Sequence, residues 1–135
     1  MKPNFFIVGG SKCGTTNMSY YLNEHENVFI PEHMEPYYYS RFDVSKDFQR
    51  QSMITDEKNY LKLFKNAKNG QAIGESSPVY LQCPHAPIEI KKDNPDAKII
   101  ISIRNPIDKA HSSYFSYKFM NNDEHSFSEK IDLFQ

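Results

Sequence analysis

Apolar positions in this chain fall into short β-branched or aromatic runs separated by polar stretches with helical spacing. Residues 4–9, with Phe5-Phe6-Ile7-Val8, predict a buried strand, and Asn17–Asn23 places Met18, Tyr21 and Leu22 at helical spacing. Val28–Ile30, closed by Pro31, predicts a second strand. Tyr60, Leu61 and Phe64 after Asp56-Glu57 predict a short helix that ends near Asn69-Gly70. Ala72–Glu75 predicts a strand leaving into Ser76-Ser77-Pro78, and Pro87–Lys92 a short helix ended by Asn94-Pro95. Lys98–Ile103 is the strongest late strand. Asn105 then serves as an N-cap and Pro106 as a first helical residue, with Ile107, Ala110, Tyr114 and Tyr117 repeating on one face. Strands alternating with helices predict an α/β fold, a parallel sheet flanked by helices with ligands at the carboxyl ends of its strands, as one domain over 1–135. Glu35–Tyr39 reads as a loop or strand edge near the mouth of the sheet, and polar Asp43–Thr55 as a surface flap.

Composition narrows the function classes. Hydrophobic content of 39% over 135 residues supports a folded core rather than a disordered tail. The net charge of −1 gives no global attraction to nucleic acid, so an anion site has to be local, with Lys12, Arg104 and Lys109 as candidates. Cys13 and Cys83 form no short pair. With no secretory leader and no apolar run of membrane-spanning length, the expectation is a cytoplasmic protein without a membrane span. The five histidines show no metal-ligand spacing, so no metal site is expected. The apolar helical pattern at Ile131–Gln135 has no terminator, which predicts a chain truncated at its C-terminus.

The most informative stretch is Gly9-Gly10-Ser11-Lys12-Cys13-Gly14-Thr15-Thr16, directly after the first strand. Gly9 and Gly14 keep the glycine spacing of a P-loop, but Thr15 stands where that motif carries its phosphate-binding lysine, and Lys12 precedes the second glycine instead. The backbone cradle survives. Amides from Cys13 to Asn17 at the start of a helix suit an oxyanion without a metal. The second junction, Arg104 to Ser113, again brings a cation and hydroxyls to a strand end, so two anion-binding junctions would open on one sheet edge and suit a ligand with two separated phosphates.

Ser11-Lys12-Cys13-Gly14-Thr15-Thr16 resembles the 5′-phosphosulfate loop of sulfotransferases that use 3′-phosphoadenosine 5′-phosphosulfate (PAPS). Arg104-Asn105-Pro106-Ile107-Asp108-Lys109-Ala110-His111-Ser112-Ser113-Tyr114 is similar to that family's 3′-phosphate motif R-x-P-x-x-[RK]-A-x-S-x-Y. Pro31–Tyr39 resembles the K-E-P-H-F-F segment of the heparan-sulfate-type and bacterial carbohydrate branch, and Gly74–Leu81 its G-E-x-[ST]-P-x-Y-[LF] segment. The resemblance implies a P-loop-like fold and transfer of a sulfuryl group from PAPS to a hydroxyl or amine, on a carbohydrate, without metal. It implies that Lys12 contacts the oxygen bridging phosphate and sulfate. Ser11, Cys13, Gly14, Thr15, Thr16 and Asn17 would surround the 5′-phosphate, Arg104 and Ser112 would hold the 3′-phosphate, and Glu35 would be the general base.

This sequence departs from the branch at Met34, where a basic residue is frequent, at Tyr37 in place of histidine, and at Ser76 in place of lysine. Family members also continue past the 3′-phosphate motif into a segment that completes the adenine and 3′-phosphate pocket. Alternatives are a nucleotide or small-molecule kinase, against which Thr15 stands, and a truncated homologue that binds nucleotide without turnover. Cys13 reads as a small loop-filling residue. Tyr37–Tyr39 either line an acceptor pocket or sit in the core, and Glu75 is structural or an acceptor contact. Oligomeric state is not legible.

Overall fold

The computed structural model describes residues 1–41, 43, 53–121 and 125–132. Strands β1 (Phe5–Gly9), β2 (Val28–Phe29), β3 (Ala72–Ser76) and β4 (Lys98–Ser102) pair in parallel in the order β2-β3-β1-β4. Between and after them run α1 (Thr15–Asn23), α2 (Glu57–Lys62), α3 (Ala86–Asp93), α4 (Pro106–Asn121) and α5 (Phe127–Asp132), with 3-10 turns at Tyr38–Ser40 and Pro78–Gln82. This is the α/β architecture that the alternation of elements predicts. Because all strands run the same way, Gly9, Ser76 and Ser102 end on one edge of the sheet.

β1 is buried along its whole length, which is why it reads as a continuous apolar run rather than an alternating one. Phe6 and Val8 enter a large cluster with Tyr38, Tyr39, Tyr60, Phe64, Ile73 and Tyr80, whereas Phe5 and Ile7 project to the opposite face toward Ile30, Leu22 and Ile100. Each such side chain contributes roughly 1.5–3 kcal/mol by burial. Asp56 caps α2 by accepting from the Asn59 amide at 2.8 Å. Asn105 Oδ1 likewise accepts from the Ile107 amide at 2.9 Å, as its position before Pro106 predicts.

Two helices differ from their predicted orientation. In α1, Met18 and Tyr21 point outward, Tyr21 being 72% exposed, while Thr15 and Ser19 are buried. Small residues let the start of this helix lie close to the strands, and Ser19 satisfies its hydroxyl on the Thr15 carbonyl at 2.9 Å. In α4 the face carrying Ile107, Ala110 and Tyr117 is exposed, Ile107 by 74%, and no described side chain of the helix is buried. Ile99 and Ile101 of β4 are also exposed, above an apolar hollow of about 420 Å³ lined by Leu81, Pro84 and Pro87. Most of the polar stretch predicted as a flap, residues 44–52, and the final residues 133–135 lie outside the described residues.

Candidate functional site

Three loops leave the carboxyl edge of the sheet. In the first, β1 and β4 approach so closely that a Cβ on Gly9 would lie 2.2 Å from the Ser102 carbonyl oxygen, a contact only glycine avoids. The chain then turns tightly: the Cys13 amide donates to the Gly10 carbonyl at 3.2 Å, and Ser102 Oγ donates to the Cys13 carbonyl at 2.6 Å. Gly14, with φ 85°, gives the left-handed residue at the head of α1. The earliest hydrogen bond of the helix runs from the Met18 amide to the Gly14 carbonyl at 3.0 Å. The amides of Gly14, Thr15, Thr16 and Asn17 therefore make no backbone hydrogen bond among the described residues, and all four residues line one cleft. Four unpaired donors at the positive end of a helix form an anion cradle. Cys13, expected within the cradle, has its own amide engaged by Gly10, so the open donors begin one residue later.

The second loop joins β4 to α4 and brings cations to the same place. Arg104 lines the cleft and donates to the Lys12 carbonyl at 3.4 Å. Lys12 has φ 64°, a left-handed conformation that costs a non-glycine residue about 1–3 kcal/mol, and its Nζ reaches across to donate to Ser116 Oγ at 3.2 Å. The aliphatic part of Lys109 packs against Gly10, where a Cβ would meet Lys109 Cε at 3.1 Å.

The third loop carries Glu35. Its amide donates to the Ser76 carbonyl at the end of β3 at 3.0 Å, and Tyr37 donates its hydroxyl to Glu35 Oε2. Glu35 and Tyr37 both have φ 56°, on either side of the fully buried Pro36. Tyr37, Tyr38 and Tyr39 are buried, so all three belong largely to the core; Tyr37 also borders the cleft. Beneath the loop, fully buried Glu75 Oε2 accepts from Tyr60 at 2.7 Å and from Tyr80 at 3.1 Å, while Oε1 has no hydrogen-bond partner among the described residues. Desolvation pushes the Glu75 carboxyl up to about 7, opposed by the nearby hydroxyls of Ser77, Tyr60 and Tyr80. The same burial raises the Tyr60 and Tyr80 phenols.

The three loops enclose a cleft of about 600 Å³. Among the residues singled out from sequence, Ser11, Lys12, Gly14, Thr15, Thr16, Asn17, Glu35 and Arg104 line it. Cys13 and Ser112 are not part of its described lining. One turn beyond Ser112 on α4, Ser116 and then Met120 form that wall, and Pro78, Val79 and Gln82 form another. Sequence reasoning missed Ser116, although its spacing of four from Ser112 places both on one helical face. Among the described residues no three His, Cys, Asp or Glu side chains converge on a metal site.

A parallel α/β sheet with four unpaired amides after its central strand, a lysine ahead of the second loop glycine and an arginine after the neighbouring strand defines a P-loop-like protein distinct in loop chemistry from the nucleotide kinases. The profile of the Sulfotransferase family matches residues 3–134, and the chain belongs to this family. A crystal structure of a sulfotransferase from Alicyclobacillus acidocaldarius superposes with a TM-score of 0.89 at 36% identity, covering 96% of this chain and 55% of that one. The membrane-associated sulfotransferase kil1 of Dictyostelium discoideum is 24% identical over 98% of this chain, and human heparan sulfate glucosamine 3-O-sulfotransferase 6 is 30% identical over 83%. This chain spans 29% and 30% of those two proteins. Among its described residues no helix is long and apolar enough to cross a membrane.

Proposed function

We propose that the cleft binds PAPS and that the protein transfers its sulfuryl group to a hydroxyl or amine of a carbohydrate. The observation that carries this reading is the convergence of four unpaired amides, two cations and one carboxylate in a single cleft. The amides of Gly14–Asn17 suit the 5′-phosphate, and Arg104, from the neighbouring strand end, suits the 3′-phosphate as a planar two-pronged donor. PAPS supplies the sulfuryl group and a phosphate leaving group. Lys12 stands at the front of the cradle, where its ammonium offsets charge that builds on the bridging oxygen as the sulfur–oxygen bond breaks. Glu35 takes the proton from the acceptor oxygen or nitrogen as that atom bonds to sulfur, and Tyr37 orients its carboxylate. The sugar class follows from the relatives, which include heparan sulfate and carbohydrate sulfotransferases. Titration with 3′-phosphoadenosine 5′-phosphate (PAP) in metal-free buffer, against ATP with magnesium, tests the donor site. Micromolar binding of PAP with ATP much weaker supports the reading, and absence of PAP binding refutes it.

A further inference from the structure

We infer that Glu75 is the positioning residue of Glu35: its buried carboxyl is the shared acceptor on which the loop presenting the base is built. This inference rests on the reading of Glu35 as the general base. Left-handed φ values at Glu35 and Tyr37 persist only where the surroundings over-determine them. Those surroundings lead to one carboxyl. The Tyr39 amide donates to Tyr80 Oη at 3.1 Å, and Tyr80 in turn donates to Glu75 Oε2. The Tyr37 amide donates to Ser77 Oγ at 3.2 Å, two residues along the chain from Glu75. Tyr38, between them, stacks on Tyr60 with ring centroids 4.1 Å apart and planes 8° apart, and Tyr60 donates to the same Oε2. Two consecutive loop residues are thus tied through two phenols to one side chain, Tyr39 by a hydrogen-bond relay and Tyr38 by ring stacking.

The direction of each hydrogen bond follows from chemistry. A hydroxyl has one proton, and an amide can only donate. Tyr80 can accept from the Tyr39 amide and still satisfy its own proton only if an acceptor lies on its far side. Oε2 fills that role. Because Oε1 takes no part, a carboxamide oxygen in place of Oε2 preserves the relays, whereas an apolar side chain removes them. The donor cradle stands apart from this arrangement, since it is fastened to β1 and β4 through Gly10 and Ser102.

Amide hydrogen exchange of the whole chain, read at residues 35–40 and at residues 5–9, tests the inference together with PAP titration. Glu75→Leu and Tyr80→Phe should each accelerate exchange at Tyr39 by about tenfold, the effect of losing one hydrogen bond, with β1 protection and PAP affinity within twofold of wild type. Glu75→Gln should restore protection. Tyr80→Phe keeps the core volume and remains informative if Glu75→Leu does not fold. Unchanged Tyr39 exchange in Tyr80→Phe, or Gln behaving like Leu, overturns the inference. A wild-type chain that fails to bind PAP overturns the donor reading, and the exchange comparison still decides the role of Glu75 in the loop.

Discussion

Glu75→Gln should remove a specific pH dependence of stability. In the folded protein the carboxyl titrates at about 7 because burial disfavours its charge, against an ordinary value of 4.5. The groups facing it are the phenols of Tyr39, Tyr60 and Tyr80 and the Ser77 hydroxyl, all uncharged near neutrality. Between these two pH values the folded state binds more protons than the unfolded state, so stability falls as pH rises. The favourable contribution is complete below pH 4.5 and lost as pH passes through about 7. The difference of 2.5 units (7 − 4.5) corresponds to ~3 kcal/mol, of which roughly 2–3 kcal/mol is lost between about pH 5 and 8. Gln cannot ionise, and the two proteins share every other titratable group. The stability of the variant relative to wild type should therefore rise by that amount across the window. Urea unfolding followed by far-UV circular dichroism resolves it as a relative midpoint shift of about 1–2 M. A wild-type-to-variant difference constant within about 0.5 kcal/mol across this range would refute the buried-ionisation argument.

Other perturbations address the cleft directly. Lys12→Ala should lower sulfuryl transfer from PAPS by about 10²–10³-fold while PAP still binds, and activity within about twofold of wild type would remove Lys12 from the chemistry. Arg104→Ala should weaken PAP by roughly tenfold more than adenosine 5′-phosphate in parallel titrations; equal losses would refute a 3′-phosphate role. Gly9→Ala forces a Cβ to within 2.2 Å of the Ser102 carbonyl and should destabilise the fold by about 1–3 kcal/mol in urea unfolding, so an unchanged midpoint would contradict the tight β1–β4 approach.

Locally encoded features were legible in the sequence. The apolar run of β1 and the Asn105-Pro106 start of α4 follow from nearby residue types, and so does the glycine at position 14. The outward face of α1 was not legible, because helical spacing of Met18 and Tyr21 does not reveal that Thr15 and Ser19 pack more closely on the sheet. For Tyr37–Tyr39 the sequence left two environments open, and their burial depends on Tyr60 and Tyr80, which come from other elements. Glu75 reads from the sequence as structural or an acceptor contact, but its pairing with two phenols requires residues 60 and 80 to meet. The motifs that resemble the family carry Lys12, Glu35 and Arg104 at separate points of the chain, and the cleft collects all three. Ser116 was missed because its contact with Lys12 spans 104 positions of chain.

The exposed setting of α4 would give the proposed donor a thermodynamic role besides its chemical one. A helix of 16 residues with no described side chain buried has little apolar burial to hold it, yet it supplies Ser116 and follows directly from Arg104. A nucleotide whose two phosphate groups span Lys12 and Arg104 would clamp the start of this helix to the sheet edge. Nucleotide saturation would then act as a folding ligand, raising apparent stability by about 2.7 kcal/mol at a hundredfold excess over Kd. Part of the binding enthalpy would appear as ordering of α4, coupling cofactor occupancy to the lifetime of the folded chain.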